Sequence, residues 1–276
     1  MSLRRPLPAL RPFVESVWAS AASTQSVAPR EHVLPCNRMH LAIRLDGALR
    51  LYRDADDTRG ETIASAVVAG TRAGFYVKDT ATPSRSVGVI LKPGASQALF
   101  GCSADELTAS HVPLEALWGK AAHDLHAQLL DEDEQSRQLE LLQRALLARL
   151  RPVRAMHPAI AQTMQGLEQG HQVSALAQAS GCSHRLLLAR FRAATGLAPK
   201  AYARVLRFRH ALNLLASGQR LVDVAHDAGY SDQAHFSREF RELSGVTPQA
   251  YRRAPVRAGA HVGMVNFLQD AGRPRP

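Results

Sequence analysis

The sequence predicts a two-domain α+β protein. A mainly β N-terminal domain, barrel or sandwich with added helices, precedes an all-α tandem helix-turn-helix. Three observations carry this. Residues 173–253 repeat themselves with a period of about 49. Apolar residues alternate in short runs between positions 39 and 91, then switch to spacings of three and four after Ala95. Charge divides the chain as well. Residues 1–150 hold 17 Lys+Arg against 17 Asp+Glu, whereas residues 151–276 hold 17 against 7, so the net charge of +10 sits wholly in the half with the repeat. A basic half beside a neutral one points to a polyanion partner for one domain only.

At 276 residues and 46% apolar composition, the chain has room for two ordinary cores. The three cysteines, Cys36, Cys102 and Cys182, are odd in number and scattered, which suits a reducing cytoplasm rather than a disulfide framework. The start shows no signal-peptide pattern, and no run approaches the roughly 20 apolar residues of a membrane span. A cytoplasmic protein without membrane association is expected.

In residues 1–30, prolines interrupt a stretch whose Phe13, Val14 and Trp18 suit a core, and 21–28 reads as loop or turn. Met39, Leu41, Ile43 and Leu45 alternate, Asp46-Gly47 follows, and 48–52 is a second apolar run, a pattern that predicts a β-hairpin. Further strands are expected over 62–68, 74–77 and 87–91, with Pro93-Gly94 ending the last. Asp54 to Asp57, with Arg59-Gly60, reads as an exposed turn. Ser103 and Glu106 fit a capping box. Residues 121–130 and 132–150 read as helices. The second carries one stripe, Leu139, Leu142, Leu146 and Leu150, which serves either as a dimer seam or as packing on its own domain.

His32, Cys36 and His40 are spaced four apart, and both residue types suit zinc. Pro35 breaks the run and no fourth ligand is near, so two surface histidines and a buried thiol are expected, with no metal and no cofactor. His123 and His126 read as a solvated helix face. The sequence contains no Gly-x-Ser-x-Gly elbow, no His-Glu-x-x-His and no phosphate-binding glycine loop, so it does not read as an enzyme. An alkyl-transfer DNA repair enzyme would need an activated cysteine, and Cys36 and Cys102 lack flanking motifs for one.

After Arg151-Pro152 a linker over 151–156 is expected, then a DNA-binding domain over 157–253, then a Gly-, Pro- and Arg-rich tail, 254–276, read as mostly disordered. The first helix, 157–167, turns Ile160, Met164 and Leu167 inward. Each repeat unit then has a short apolar helix, a glycine (Gly181; Gly229) and a cap (Ser183; Ser231 or Asp232). A longer helix follows with an aromatic (Phe191; Phe240), a glycine (Gly196; Gly245), a proline (Pro199; Pro248) and a tyrosine (Tyr202; Tyr251). Leu187 with Phe191, and Phe236 with Phe240, face the core at a spacing of four and leave the opposite helix face to another molecule. A connecting helix over 199–216 joins the units, with Arg204, Arg207 and Arg209 as phosphate candidates; Arg207 serves alternatively as a tie between them.

This repeat strongly resembles the DNA-binding domain of the AraC/XylS family of bacterial transcription regulators. The second unit carries the most specific run: Ala225, Gly229-Tyr230, Asp232, Phe236-Ser237-Arg238, Phe240, Gly245, Thr247-Pro248 and Tyr251-Arg252. The resemblance implies that each unit lays its second helix in the major groove, one helical turn of DNA apart. Matched by position, Arg185, Leu188 and Ala189 face the groove in the first unit. Many members have an arginine at Ala189, so Arg185 becomes the guanine fork here, with Arg190 and Arg192 on phosphates. In the second unit Gln233, Ala234, His235, Ser237 and Arg238 point outward, with Gln233 suited to adenine. The resemblance further implies an activator that contacts RNA polymerase, gated by a small-molecule effector or by homodimerisation through the N-terminal domain. Residues 30–150 resemble a domain of unassigned function in a subset of that family, through Val89 to Gly94, Ser103, Leu107, Val112-Pro113-Leu114 and Leu117-Trp118-Gly119. They depart from it at Pro35-Cys36-Asn37, where that subset often has Pro-Asp-Gly.

Overall fold

The computed structural model describes residues 2–21, 30–53, 57–81, 84–253, 257–258 and 265–268, with Ser2 and the last two stretches described as backbone only. The N-terminal region is rich in sheet and the C-terminal region is helical, as the fold class predicts. The loop expected over 21–28 lies outside the described residues beyond its first position, as do residues 54–56 of the acidic turn. What is described of that turn is tight: the Asp57 carboxylate accepts from the backbone of Arg53, Arg59 and Gly60, each at 3.0 Å.

In chain order the strands are β1 (Ser2–Arg4), β2 (Val14–Ser20), β3 (Arg30–Val33), β4 (Met39–Arg44), β5 (Arg50–Tyr52), β6 (Glu61–Thr62), β7 (Ala66–Ala69), β8 (Tyr76–Asp79), β9 (Ser86–Leu91), β10 (His111–Pro113), β11 (Arg257–Ala258) and β12 (Val265–Leu268). They form two six-stranded sheets, ordered β1-β2-β9-β4-β7-β10 and β11-β12-β3-β8-β5-β6, with antiparallel pairing throughout.

The hairpin expected around Asp46-Gly47 does not form. β4 pairs with β7 and β9, while β5 lies in the other sheet between β8 and β6. The reason is a contact distant in sequence. The Asp46 carboxylate accepts from the Arg85 backbone at 2.8 Å and from its guanidinium at 3.2 Å, so the turn is tied to the start of β9. Asp-Gly specifies a turn, and here the turn carries the chain from one sheet to the other. The expected strand over 62–68 likewise divides into β6 and β7, one in each sheet.

Helices α1 (Ala95–Phe100), α2 (Leu114–Trp118), α3 (Lys120–Leu130) and α4 (Gln135–Arg149) complete this region. The Ser103 backbone N–H donates to the Glu106 carboxylate at 2.7 Å in the predicted capping box, which opens a short 3-10 turn, Ala104–Leu107. The core packs Val17, Leu41, Ile43, Val87 and Val89 of the first sheet against Leu125, Leu129, Leu139, Leu142 and Leu146. Each such side chain contributes about 2 kcal/mol by leaving water. The leucine stripe of α4 is therefore used within its own region, which removes the dimer-seam reading.

The helical region runs α5 (Pro158–Glu168), α6 (Val173–Ala179), α7 (His184–Thr195), α8 (Pro199–Ala216), α9 (Leu221–Asp227), α10 (Gln233–Ser244) and α11 (Pro248–Arg253). Pro199 opens α8 and Pro248 opens α11, where its missing N–H costs nothing. Two cores share α8. Tyr202 and Val205 pack with Ile160, Leu187 and Phe191; Phe208, Ala211, Leu212 and Leu215 pack with Phe236, Phe240 and Leu243. In the tail, read from its composition as mostly disordered, β12 pairs with β3. Val, Phe and Leu favour strands, and β3 offers a free edge; β11 pairs with β12 in turn, and the other positions of 254–276 lie outside the described residues.

Candidate nucleic-acid interface

The two long helices of the repeat begin and end alike. Ser183 caps α7 by accepting from the Leu186 N–H at 3.3 Å, and Asp232 caps α10 by accepting from the His235 N–H at 2.6 Å. That bond, foremost, holds the Asp232 carboxyl below its ordinary range, as suits an anion at a helix N-terminus. Leu187 and Phe191, and Phe236 and Phe240, are buried as the spacing predicts.

Among the residues predicted to reach a partner, Arg185, Ala189, Arg190 and Arg192 on α7 are exposed and Leu188 is half-buried. On α10, Gln233, Ala234 and Arg238 are exposed and Ser237 is half-buried. Leu186, which the sequence reading passed over, is 41% exposed on the same helix as Arg185. Two expectations change. His235 does not point fully outward: its ring meets the edge of Tyr230 at 5.3 Å, and its Nδ1 lies 3.1 Å from the Ser231 hydroxyl. Arg204 and Arg207 are half-buried rather than exposed. Both guanidiniums bond to Glu239, Arg204 at 3.0 Å and Arg207 at 2.9 and 3.0 Å. Of the two roles open for Arg207, phosphate ligand or tie, the structure shows the tie.

Glu239 is 7% exposed and lies at the centre of this ion pair. Its spacing of three from Phe236 placed it on the core face, the one signal that foretold its burial. Asp223 is held by Arg220 at 2.7 Å, which lowers its carboxyl.

His32, Cys36 and His40 do not converge. The His32 ring, 2% exposed, bonds the Ser244 carbonyl at 2.9 Å, and the Cys36 thiol donates to the Arg38 carbonyl at 3.3 Å. His40 faces a cleft lined by Cys36, Arg38, Arg72 and Tyr76. The two histidines are thus not the surface pair expected. Desolvation, with Lys78 and Arg72 nearby, holds the His40 imidazole down to about 4. Desolvation and the Arg72 guanidinium, 3.1 Å from its Nδ1, hold His111 down to about 2. His126 is not simply solvated, since its Nε2 bonds the Arg44 carbonyl at 2.9 Å. No group of three or more His, Cys, Asp or Glu among the described residues is placed to hold a metal ion. Burial and Glu106 push the Cys102 thiol up, the opposite of an activated nucleophile. No helix among the described residues is long and apolar enough to cross a membrane.

Two capped helices with exposed basic faces, joined by one shared helix, define a tandem helix-turn-helix protein of the DNA-binding class. Residues 176–254 match the family model described as a helix-turn-helix domain, and residues 3–113 match a domain of unknown function, DUF6597. The chain therefore carries a helix-turn-helix domain and resembles the AraC-type regulators. The HTH-type transcriptional activator RhaR of Salmonella dublin is 33% identical over 87 residues, which are 31% of this chain and 31% of that protein. The chain thus matches about a third of the length of the curated relatives it resembles. Among solved structures, ToxT from Vibrio cholerae superposes with a TM-score of 0.46 at 11% identity, covering 86% of this chain and 96% of that one. A probable AraC family transcriptional regulator from Rhodopseudomonas palustris is 28% identical over 33% of this chain and 92% of its own, with a TM-score of 0.30.

Proposed function

We propose that this protein is a sequence-specific DNA-binding transcription regulator, an activator, whose N-terminal domain gates DNA binding. It works by binding and not by chemistry, without a cofactor, in the cytoplasm. The observation that carries the reading is the pair of equivalent helices α7 and α10, each capped at its N-terminus and each with an uncovered face. Arg185 is the guanine fork and Gln233 the adenine reader; Leu188 and Ala189 line the groove beside Arg185, and Ala234, Ser237 and Arg238 flank Gln233. Arg190 and Arg192 neutralise phosphates and release counterions. Arg207 acts from behind, by holding α10 on α8, and His235 acts through the cap of α10.

Residues 1–150 form the regulatory domain, 151–156 the linker, 157–253 the DNA-binding domain and 254–276 the tail. The gating signal is a small-molecule effector or homodimerisation. Homodimerisation, if used, needs a surface other than the α4 stripe. RNA polymerase is the partner that activation requires. The test is selection from random DNA duplexes by the full chain at near-physiological salt. A discrete motif is expected. A featureless, strongly salt-dependent signal would mean that charge alone holds DNA, and would move attention to the N-terminal domain as the functional part.

A further inference from the structure

The N-terminal region grips both helix-turn-helix units, and it grips them at the same place in the repeat. At the end of α7, three successive carbonyls accept from it. Ala194 takes the Gly94 N–H at 2.7 Å, Thr195 takes the Thr71 hydroxyl at 2.9 Å, and Gly196 takes the Thr108 hydroxyl at 2.5 Å. At the end of α10, the Ser244 carbonyl accepts from the His32 Nδ1–H at 2.9 Å, and that ring stacks on Phe75 with centroids 4.6 Å apart. Thr195 and Ser244 are equivalent positions, 49 apart, with the same internal bonds. Each hydroxyl donates back to the carbonyl four before, Phe191 or Phe240, and accepts from the N–H two ahead. The next residues, Gly196 and Gly245, both have left-handed backbone, φ 79° and 80°. A Cβ on Gly196 would meet the Thr71 hydroxyl at 2.1 Å, and one on Gly245 would meet Phe75 at 2.7 Å and His32 at 2.8 Å. Glycine at both sites admits the close approach.

The last carbonyls of a helix have no partner within it. Here a second region of the chain supplies partners for both reading helices. Among the described residues the two units share α8, and the ion pair at Glu239 fastens α10 to that helix. The grip lies at the C-terminal ends, while Arg185, Ala189, Gln233 and Arg238 near the opposite ends stay exposed. It braces the reading faces without covering them.

We propose that Thr71, Thr108 and His32 are positioning residues for DNA recognition: they hold α7 and α10 at one fixed separation and thereby set the spacing between the two DNA segments the protein accepts. This rests on the reading of α7 and α10 as DNA-reading helices. Two linked modules gain avidity only where their geometry lets both engage at once. A loosened brace therefore tolerates several spacings and binds each less tightly.

The test is selection from random duplexes with three forms of the full chain: unsubstituted, Thr71→Val/Thr108→Val/His32→Phe, and Thr71→Ser/Thr108→Ser/His32→Asn. The second removes the donors. The third keeps a donor at each position. We expect one half-motif separation for the first and third forms. For the second we expect the same half-motifs at several separations, with about tenfold weaker binding to the original spacing. A merely structural role would weaken binding without broadening the spacing. One unchanged separation in the second form overturns the inference and leaves the DNA-binding reading intact. No motif from the unsubstituted chain overturns that reading, and the inference with it. Should the valine form fail to fold, His32→Phe alone, which keeps the ring stack on Phe75, carries the same comparison.

Discussion

Arg207 holds Glu239 with a two-pronged ion pair, one guanidinium nitrogen 2.9 and 3.0 Å from the two carboxylate oxygens, and so ties the connecting helix α8 to the reading helix α10. The Glu239 side chain is 8% exposed and that of Arg207 32%. With Arg207 removed, Glu239 keeps the Arg204 guanidinium at 3.0 Å and is not left unpaired. Arg207→Ala is expected to destabilise the protein by about 1–3 kcal/mol, below the cost of breaking a fully buried pair, because Arg204 remains and Arg207 is partly wet. Urea titration measures this, and a loss below about 0.5 kcal/mol would show that the pair is ornamental.

Arginines on α7 divide by role. Arg185→Ala is expected to cost about 1–3 kcal/mol of discrimination at a single base pair and to leave other positions alone. Arg192→Ala is expected to weaken binding evenly across sequences and to lower the salt slope by about one. Titrating single-base variants of the selected duplex with each protein, at several salt concentrations, separates the two. A uniform loss from Arg185→Ala would place it on phosphate.

His40 gives stability a pH dependence whose sign is set by its surroundings. Its imidazole is held near 4 in the folded state against 6.5 in an ordinary one, so it stays neutral when folded while the unfolded chain takes up a proton. The contribution is complete above 6.5 and is lost as pH falls from there toward 4, at about 1.4 kcal/mol per pH unit for one proton. His111, held down to about 2, adds in the same direction, and its loss continues below pH 4. Denaturation midpoints at pH 7.5 and 5.5 should differ in the unsubstituted protein and differ less in His40→Gln. Equal differences in both would show that His40 does not contribute.

Leu142 lies in the N-terminal core, fully buried with Leu139 and Leu146. Leu142→Ala should cost about 2–5 kcal/mol by leaving a cavity, and the loss should not depend on protein concentration. A concentration-dependent loss measured by denaturation would return α4 to the role of a dimer seam.

Much of the helical region was legible because its signals are local. The connecting helix over 199–216, the caps Ser183 and Asp232, and the buried Phe191 and Phe240 follow from spacing and capping chemistry that act within one or two turns. The sheet region was legible as strands but not as pairings. Asp46-Gly47 announces a turn, yet the bond to Arg85, 39 residues away, decides which strand follows it in which sheet. A distant partner, Glu239, hid the inner lives of Arg204 and Arg207, which share surface-helix chemistry with the residues that remain exposed, while the near neighbours Tyr230 and Ser231 turned His235 aside. The grip of Thr71 and His32 on the two helix ends had no sequence signal of its own. Only the equivalence of Thr195-Gly196 and Ser244-Gly245 hinted that the ends were alike.

The central claim is that two equivalent helices read DNA together. Hydroxyl-radical and methylation footprinting of the full chain on its selected duplex tests this most directly. The account predicts two protected major-groove segments on one face of the DNA, centred about 10 base pairs apart, with protection of guanine N7 in the first segment lost in Arg185→Ala. A single protected segment, or protection spread evenly along the duplex, would contradict it.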